Sequence, residues 1–360
     1  MKRTATVVLI AAAGTACTQA GGPADGADSG GAGHTRPPSC AVSAMGTTDC
    51  GASHEDCCVS PEVPGGTYDR TYDPVEDGGP VVAADGAPTG EADPATISGF
   101  RLDKYLVTVG RFRQYLNYLT GPTGAPPADG SGIHTHLNGG RGLANSGSPG
   151  TFETGWNATG WNEEIPTGPG ATDTWNVNLT ACLTYSTWTP TAGSQENLPM
   201  NCVNWFQAYA FCIWDGGFLP SEAEWEYAAA GGSQEREYPW GSTDPGTTNQ
   251  YAIYNCLYGG TGGNCASIAS MAPVGTATLG AGAWGQLDMA GEVFEWNLDW
   301  YASYVDPCVD CAYLTTASDR VTRGGNYAGI TVNLPASGRS YFDDPTDSDN
   351  VIGYRCARAP

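Results

Sequence analysis

Lysine is nearly absent. Lys2 and Lys104 are the only two in 360 residues, and 15 Lys+Arg face 38 Asp+Glu for a formal charge of −23. A chain so short of cations cannot build the clustered positive surface that neutralises phosphates, which excludes nucleic acid as a partner. Long apolar runs are missing too: the longest near the start, Val7 to Ala13, is far short of the roughly 20 residues a membrane-crossing helix needs. The 51 glycines and 25 prolines make about a fifth of the chain, against a usual combined share of about 12%, which excludes coiled coils and long bundles. Enough apolar material remains for a core. Hydrophobic residues are 40%, with 11 Trp, 18 Tyr and 8 Phe, so wholesale disorder is excluded as well.

At the start stand Lys2-Arg3, an apolar stretch and Gly14-Thr15-Ala16-Cys17, the pattern of a secretory signal closing on small residues. It is similar to a bacterial lipoprotein signal, which implies removal of residues 1–16, lipidation of Cys17 and an exported protein held on the cell envelope by that anchor alone. Residues 17–38 carry no aromatic side chain and read as a flexible tether. Setting Cys17 aside leaves twelve of thirteen cysteines, and an even number in an exported chain predicts disulfides. Residues 39–59 hold Cys40, Cys50, Cys57 and Cys58, a stapled lead-in whose three possible pairings stay open. Cys256 and Cys265 flank a Gly-rich loop and are expected to pair locally. Cys308-x-x-Cys311 has redox-type spacing, but Asp306 and Asp310 beside it oppose thiolate formation, so a local disulfide is expected there.

Residues 60–360 form the main domain. Ile97 to Leu106 has strand character, and Thr108 caps a predicted helix whose Phe112, Tyr115, Leu116 and Leu119 share a face. Residues 121–200 show no sustained period and read as an irregular excursion held by aromatics. A second helix is predicted over Asn204–Trp214, stopped by Gly216-Gly217. A third follows the capping box Ser221-Glu222-Ala223-Glu224 and ends at Gly231-Gly232. Short strands follow within Trp284–Trp300, Arg320–Tyr327 and Gly353–Arg358. The class is α+β, rich in loops.

Five ordered segments carry a family likeness: Asn204-Trp205-Phe206-Gln207-Ala208-Tyr209, Leu219-Pro220-Ser221-Glu222-Ala223-Glu224-Trp225-Glu226, Asp288-Met289-Ala290-Gly291-Glu292-Val293-Phe294-Glu295-Trp296, Arg323-Gly324-Gly325-Asn326 and Gly353-Tyr354-Arg355-Cys356. Together they resemble the formylglycine-generating enzymes, or sulfatase-modifying factors. The resemblance implies a variant of the C-type lectin fold and a disulfide between Cys212 and Cys356. A bond between Cys182 and Cys202 is a looser suggestion. It further implies oxidation of a cysteine in a C-x-P-x-R motif with oxygen and a Cu(I) ion held by two thiolates. Soft sulfur ligands are what select Cu(I), yet the matching positions here are Gly329 and Leu334, so copper is not expected. Asn326 replaces the motif's Ser and Phe294 its usual Trp. With Arg339, these bound the candidate pocket.

A structural calcium site is also implied, with carboxylates from Asp288 and Glu295 and carbonyls from Gly291 and Val293, a hard-oxygen set suited to Ca²⁺. Iron-dependent sulfoxide synthases of this fold use three histidines. Only His34, His54, His134 and His136 occur here, and His134-x-His136 reads as an exposed, inert pair in a Gly-rich loop. Two functions compete. One is a non-catalytic scaffold binding a cell-envelope sugar or peptide, with Trp156, Trp161, Trp175 and Trp188 offering loop faces for stacking. The other is formylglycine generation or a related oxidase activity at a divergent site.

Overall fold

A computed structural model describes residues 36–73, 89–265, 267–339 and 341–360. The expected signal (1–16), Cys17 and most of the tether (17–38) lie outside the described residues. The elements run β1 (Glu62–Val63), β2 (Gly66–Asp73), β3 (Thr89–Ile97), β4 (Phe100–Leu102), α1 (Val109–Leu119), β5 (Ala144–Asn145), α2 (Ala158–Trp161), α3 (Ala171–Leu179), α4 (Trp205–Trp214) and α5 (Glu222–Ala230). Then come β6 (Phe294–Trp300), β7 (Cys308–Val309), β8 (Cys311–Ala312), β9 (Arg320–Arg323), β10 (Tyr341–Asp343), β11 (Ile352–Gly353) and β12 (Ala357–Arg358).

The helices begin where local caps satisfy their first amides. Thr108 Oγ1 accepts from Arg111 N at 3.1 Å before α1. Asn204 and Gln207 exchange bonds of 3.0 and 3.2 Å before α4, and Ser221 and Glu224 do the same before α5. Gly231 ends α5 at φ 69°, a left-handed residue suited to glycine. Within the irregular stretch, α3 starts at Gly170 without a side-chain cap, so it carries no local start signal.

The main sheet has the order β10-β9-β6-β11. β6 and β10 flank β9 antiparallel, and β11 joins β6 in parallel. A small sheet β1-β4-β12 ties the start of the domain to its end. One core gathers around α1 and α4, where Phe112 stacks on Phe211 at 5.9 Å and Trp205 and Trp296 are fully buried. Another surrounds α5, every residue of which is buried. Trp156, Trp175 and Trp188 are buried in the first core, and Trp161 packs against it on Trp205 and Phe206. The expectation that these tryptophans face a ligand is therefore corrected: they replace the backbone ladders this region lacks.

Six disulfides close the fold: Cys40–Cys58, Cys50–Cys57, Cys182–Cys202, Cys212–Cys356, Cys256–Cys265 and Cys308–Cys311. The lead-in packs onto α1 and α4. Ser39 bonds Arg111 and Asp215, and the fully buried Arg111 bridges Asp103 at 2.9 Å and Asp215 at 2.6 Å.

Candidate functional site

The turn leaving β9 begins with Gly324 and Gly325 at φ 98° and 76°. A Cβ on Gly324 would lie 2.8 Å from the Met289 carbonyl, so glycine is required. Asn326 Oδ1 accepts from the amides of Ala328 and Gly329, both at 2.8 Å, so its side chain shapes its own loop. Leu334 is buried with Tyr238, Ala252, Tyr254 and Ala290. Phe294 is buried in the first core. Arg339 lies elsewhere, making a two-pronged contact with Glu222 at 2.7 and 3.0 Å. The expected pocket of Asn326, Phe294 and Arg339 is thus corrected: the cleft that Arg339 lines includes neither of the other two.

That cleft is a narrow crevice with a cavity volume of about 10 Å³, and Arg70, Glu222, Asp299, Tyr304, Tyr313 and Arg339 form much of its wall. Space of that size takes about one water-sized polar group. The guanidinium planes of Arg70 and Arg339 lie 4.2 and 4.4 Å from the centre of the Tyr304 ring. Asp299 on β6 accepts from the amides of Glu222 and Tyr313, both at 2.7 Å. Burial, with the charge of Glu222, pushes its carboxyl up to about 7. Behind the wall, Glu226 pairs with Arg323 at 2.7 Å and accepts from Tyr304 Oη at 3.2 Å. Burial pushes it up to about 7 as well, and its Oε1 is buried without a hydrogen-bond partner among the described residues. Two carboxyls poised near neutrality can hold or release a proton beside a small bound group.

Glu295 does not present a free carboxylate. Arg355 donates to both its oxygens at 2.6 and 2.8 Å, and Trp225 Nε1 donates at 3.0 Å. Asp288 accepts from Gly275 N at 2.6 Å, and burial pushes it up to about 6. Nearby Glu292, absent from the sequence expectation, accepts from Ala272 N at 2.9 Å and keeps Oε2 buried without a hydrogen-bond partner among the described residues. Burial and then the charge of Asp288 raise it well above the usual carboxylate range. Gly291 runs so close to Ile253 that a Cβ would sit 2.4 Å from its carbonyl oxygen, and Val293 is fully buried. For a hard cation, the acids of this loop that fit are Asp288 and Glu292, whereas Glu295 belongs to Arg355.

His134 also departs from expectation, being fully buried rather than exposed. Its Nδ1 meets Glu153 at 3.0 Å and its Nε2 meets Glu224 at 3.2 Å. Burial opposes the charge, but the two carboxylates outweigh it and push the imidazole up to about 10. Sequence spacing carries no sign of this bridge, because Glu153 and Glu224 reach it from distant segments.

Residues 57–360 match the sulfatase-modifying factor enzyme 1-like domain family. The formylglycine-generating enzyme of Mus musculus is 31% identical over 169 residues, 45% of each chain. Hercynine oxygenase of Mycobacterium tuberculosis is 30% identical over 220 residues, 56% of this chain and 46% of that one. The chain spans about half the length of these curated relatives. Among solved structures, PvdO from Pseudomonas aeruginosa aligns with a TM-score of 0.51 at 20% identity, covering 89% of this chain and all of that one, a likeness of fold.

Proposed function

The chain belongs to the sulfatase-modifying factor family, and from that footing we propose that it is an exported, lipid-anchored binding scaffold rather than a copper oxidase. One observation carries the reading: all twelve cysteines among the described residues are in disulfides. None offers the thiolate that Cu(I) selects. Gly329 and Leu334 stand where the family likeness puts the thiols, and Leu334 is buried beneath tyrosines. Six disulfides point to an oxidising, extracytoplasmic setting, and no helix of the described residues is long and apolar enough to cross a membrane. The ligand is a sugar or peptide of the cell envelope that places a small polar group in the Arg70/Arg339 cleft. Calcium is a structural component of this reading, held in the 288–295 loop through Asp288 and Glu292.

The second reading, a divergent oxidase, draws on relatives named for formylglycine generation and hercynine oxygenation. The two separate in one assay. Purified protein is incubated with Cu(I), oxygen and a C-x-P-x-R peptide, and the peptide mass is followed. An unchanged mass is expected; conversion of the cysteine to the aldehyde would overturn the scaffold reading.

A further inference from the structure

We propose that the stacked rings of Phe342 and Tyr301 form a sugar subsite of the Arg70/Arg339 cleft, and that the ligand is a neutral oligosaccharide of two or more rings. This rests on the binding-scaffold reading above and names the ligand class for the same site.

The rings are tied to the cleft by a chain of direct contacts. β10 is the outer strand of the main sheet, and its Phe342 lies on Tyr301 with ring centres 4.0 Å apart and planes within 22° of each other. The Arg339 guanidinium lies 4.6 Å from the centre of the Tyr301 ring and 4.4 Å from that of Tyr304, and Arg70 lies 4.2 Å from Tyr304 in turn. Aromatic rings and guanidinium groups thus alternate from the cleft wall outward to Phe342. Phe342 is 42% exposed, whereas its β9 neighbour Val321 is fully buried. An open aromatic ring braced by a second ring is a platform for the apolar C–H face of a flat ligand ring.

Charge decides which kind of ring. Each guanidinium of the site is matched by an acid: Arg70 by Asp306 at 2.9 Å, Arg339 by Glu222 at 2.7 Å and Arg323 by Glu226 at 2.7 Å. A phosphate, a carboxylate or an acidic sugar would have to break one of these pairs, and the net charge of −23 repels it further. The same pairs spend the acids, which disfavours a cationic ligand. What fits is a neutral ring with an apolar face and a hydroxyl rim, a pyranose. The crevice, at about 10 Å³, takes one hydroxyl-sized group. Two stacking steps separate Phe342 from Arg339, so a ring lying on Phe342 does not also fill the crevice. A second ring of the same chain supplies that hydroxyl. An extended peptide would instead pair with the main-chain edge of β10, and the test includes it.

The full chain is titrated calorimetrically with cellotriose and triacetylchitotriose, whose equatorial substituents leave flat apolar ring faces, and with glucose, trigalacturonic acid and a Val-Thr-Val-Thr peptide. A neutral trisaccharide is expected to bind at least tenfold more tightly than glucose, the acidic trimer or the peptide. F342A should weaken it at least tenfold, whereas F342Y, which keeps the ring, should stay within threefold of wild type. A302L, which adds bulk to the crevice wall, should also weaken it. The proposal is overturned if neither neutral trisaccharide binds, if glucose, the acidic trimer or the peptide binds as tightly, or if F342A has no effect. Loss in A302L without loss in F342A would sink the platform and leave the cleft reading standing. Loss in F342A without loss in A302L would uphold the platform and overturn the cleft reading.

Discussion

Replacing His134 by Gln separates a buried ion bridge from ordinary packing. The imidazolium contacts Glu153 and Glu224 at 3.0 and 3.2 Å with every partner buried. Its folded pKa is pushed up to about 10, against 6.5 unfolded. Because the folded state binds this proton more tightly, its contribution is complete below pH 6.5 and is lost as pH climbs through 10. The local slope is about −1.4 kcal/mol per pH unit between those limits. H134Q keeps a hydrogen-bonding group but removes the charge, leaving two buried carboxylates uncompensated, which costs about 3–5 kcal/mol at pH 7. Urea unfolding with disulfides intact, followed by tryptophan fluorescence from pH 6.5 to 9.5, should show wild type losing stability with pH relative to the variant. The gap between them should shrink toward high pH. A gap that stays constant or widens would refute the protonated bridge.

Opening Cys212–Cys356 by C212S with C356S should cost about 5 kcal/mol in the chain-entropy account for a 144-residue separation, read as a lowered urea midpoint. Calcium should raise the thermal midpoint of wild type and chelator should lower it, as for any ligand bound only by the folded state. D288N with E292Q should abolish the shift, whereas persistence in that double variant would remove the proposed ligands. G329C with L334C should create tight Cu(I) binding in a chromophoric-chelator competition, with wild type showing none; failure would place the family's thiol positions elsewhere. R339M leaves Glu222 without its two-pronged partner and should lower stability by about 1–3 kcal/mol by calorimetry.

What the sequence made legible was local. Thr108, Asn204–Gln207 and Ser221–Glu224 announce their helices because a cap is satisfied within three or four residues. α3 stayed hidden because nothing caps it. Glycine spacing and family likeness located the β9 turn and the 288–295 loop. They could not reveal that Glu295 is occupied by Arg355, since that bond joins residues 60 apart. Tryptophans among Gly, Pro and Asn read as surface, yet Trp175 is fully buried, because polar neighbours along the chain say nothing about what packs across it. His134 is buried by residues equally remote along the chain, Glu224 among them.

The acids of this fold divide by whether their oxygens are already engaged. With few backbone ladders, loops are held by buried carboxylates: Glu153 takes the amides of His134 and Leu143 as well as the His134 ring, and Asp299 takes those of Glu222 and Tyr313. Glu295 is engaged on both oxygens by Arg355. Such groups are structural, since binding anything else would cost an existing bond of similar strength. Glu292 Oε2 and Glu226 Oε1 are different, being buried, next to other acids and without a hydrogen-bond partner among the described residues. A proton or a cation relieves that cost at each. Glu292, buried beside Asp288, favours the cation. Glu226, already against Arg323, favours the proton, which makes the wall of the cleft responsive to pH near neutrality.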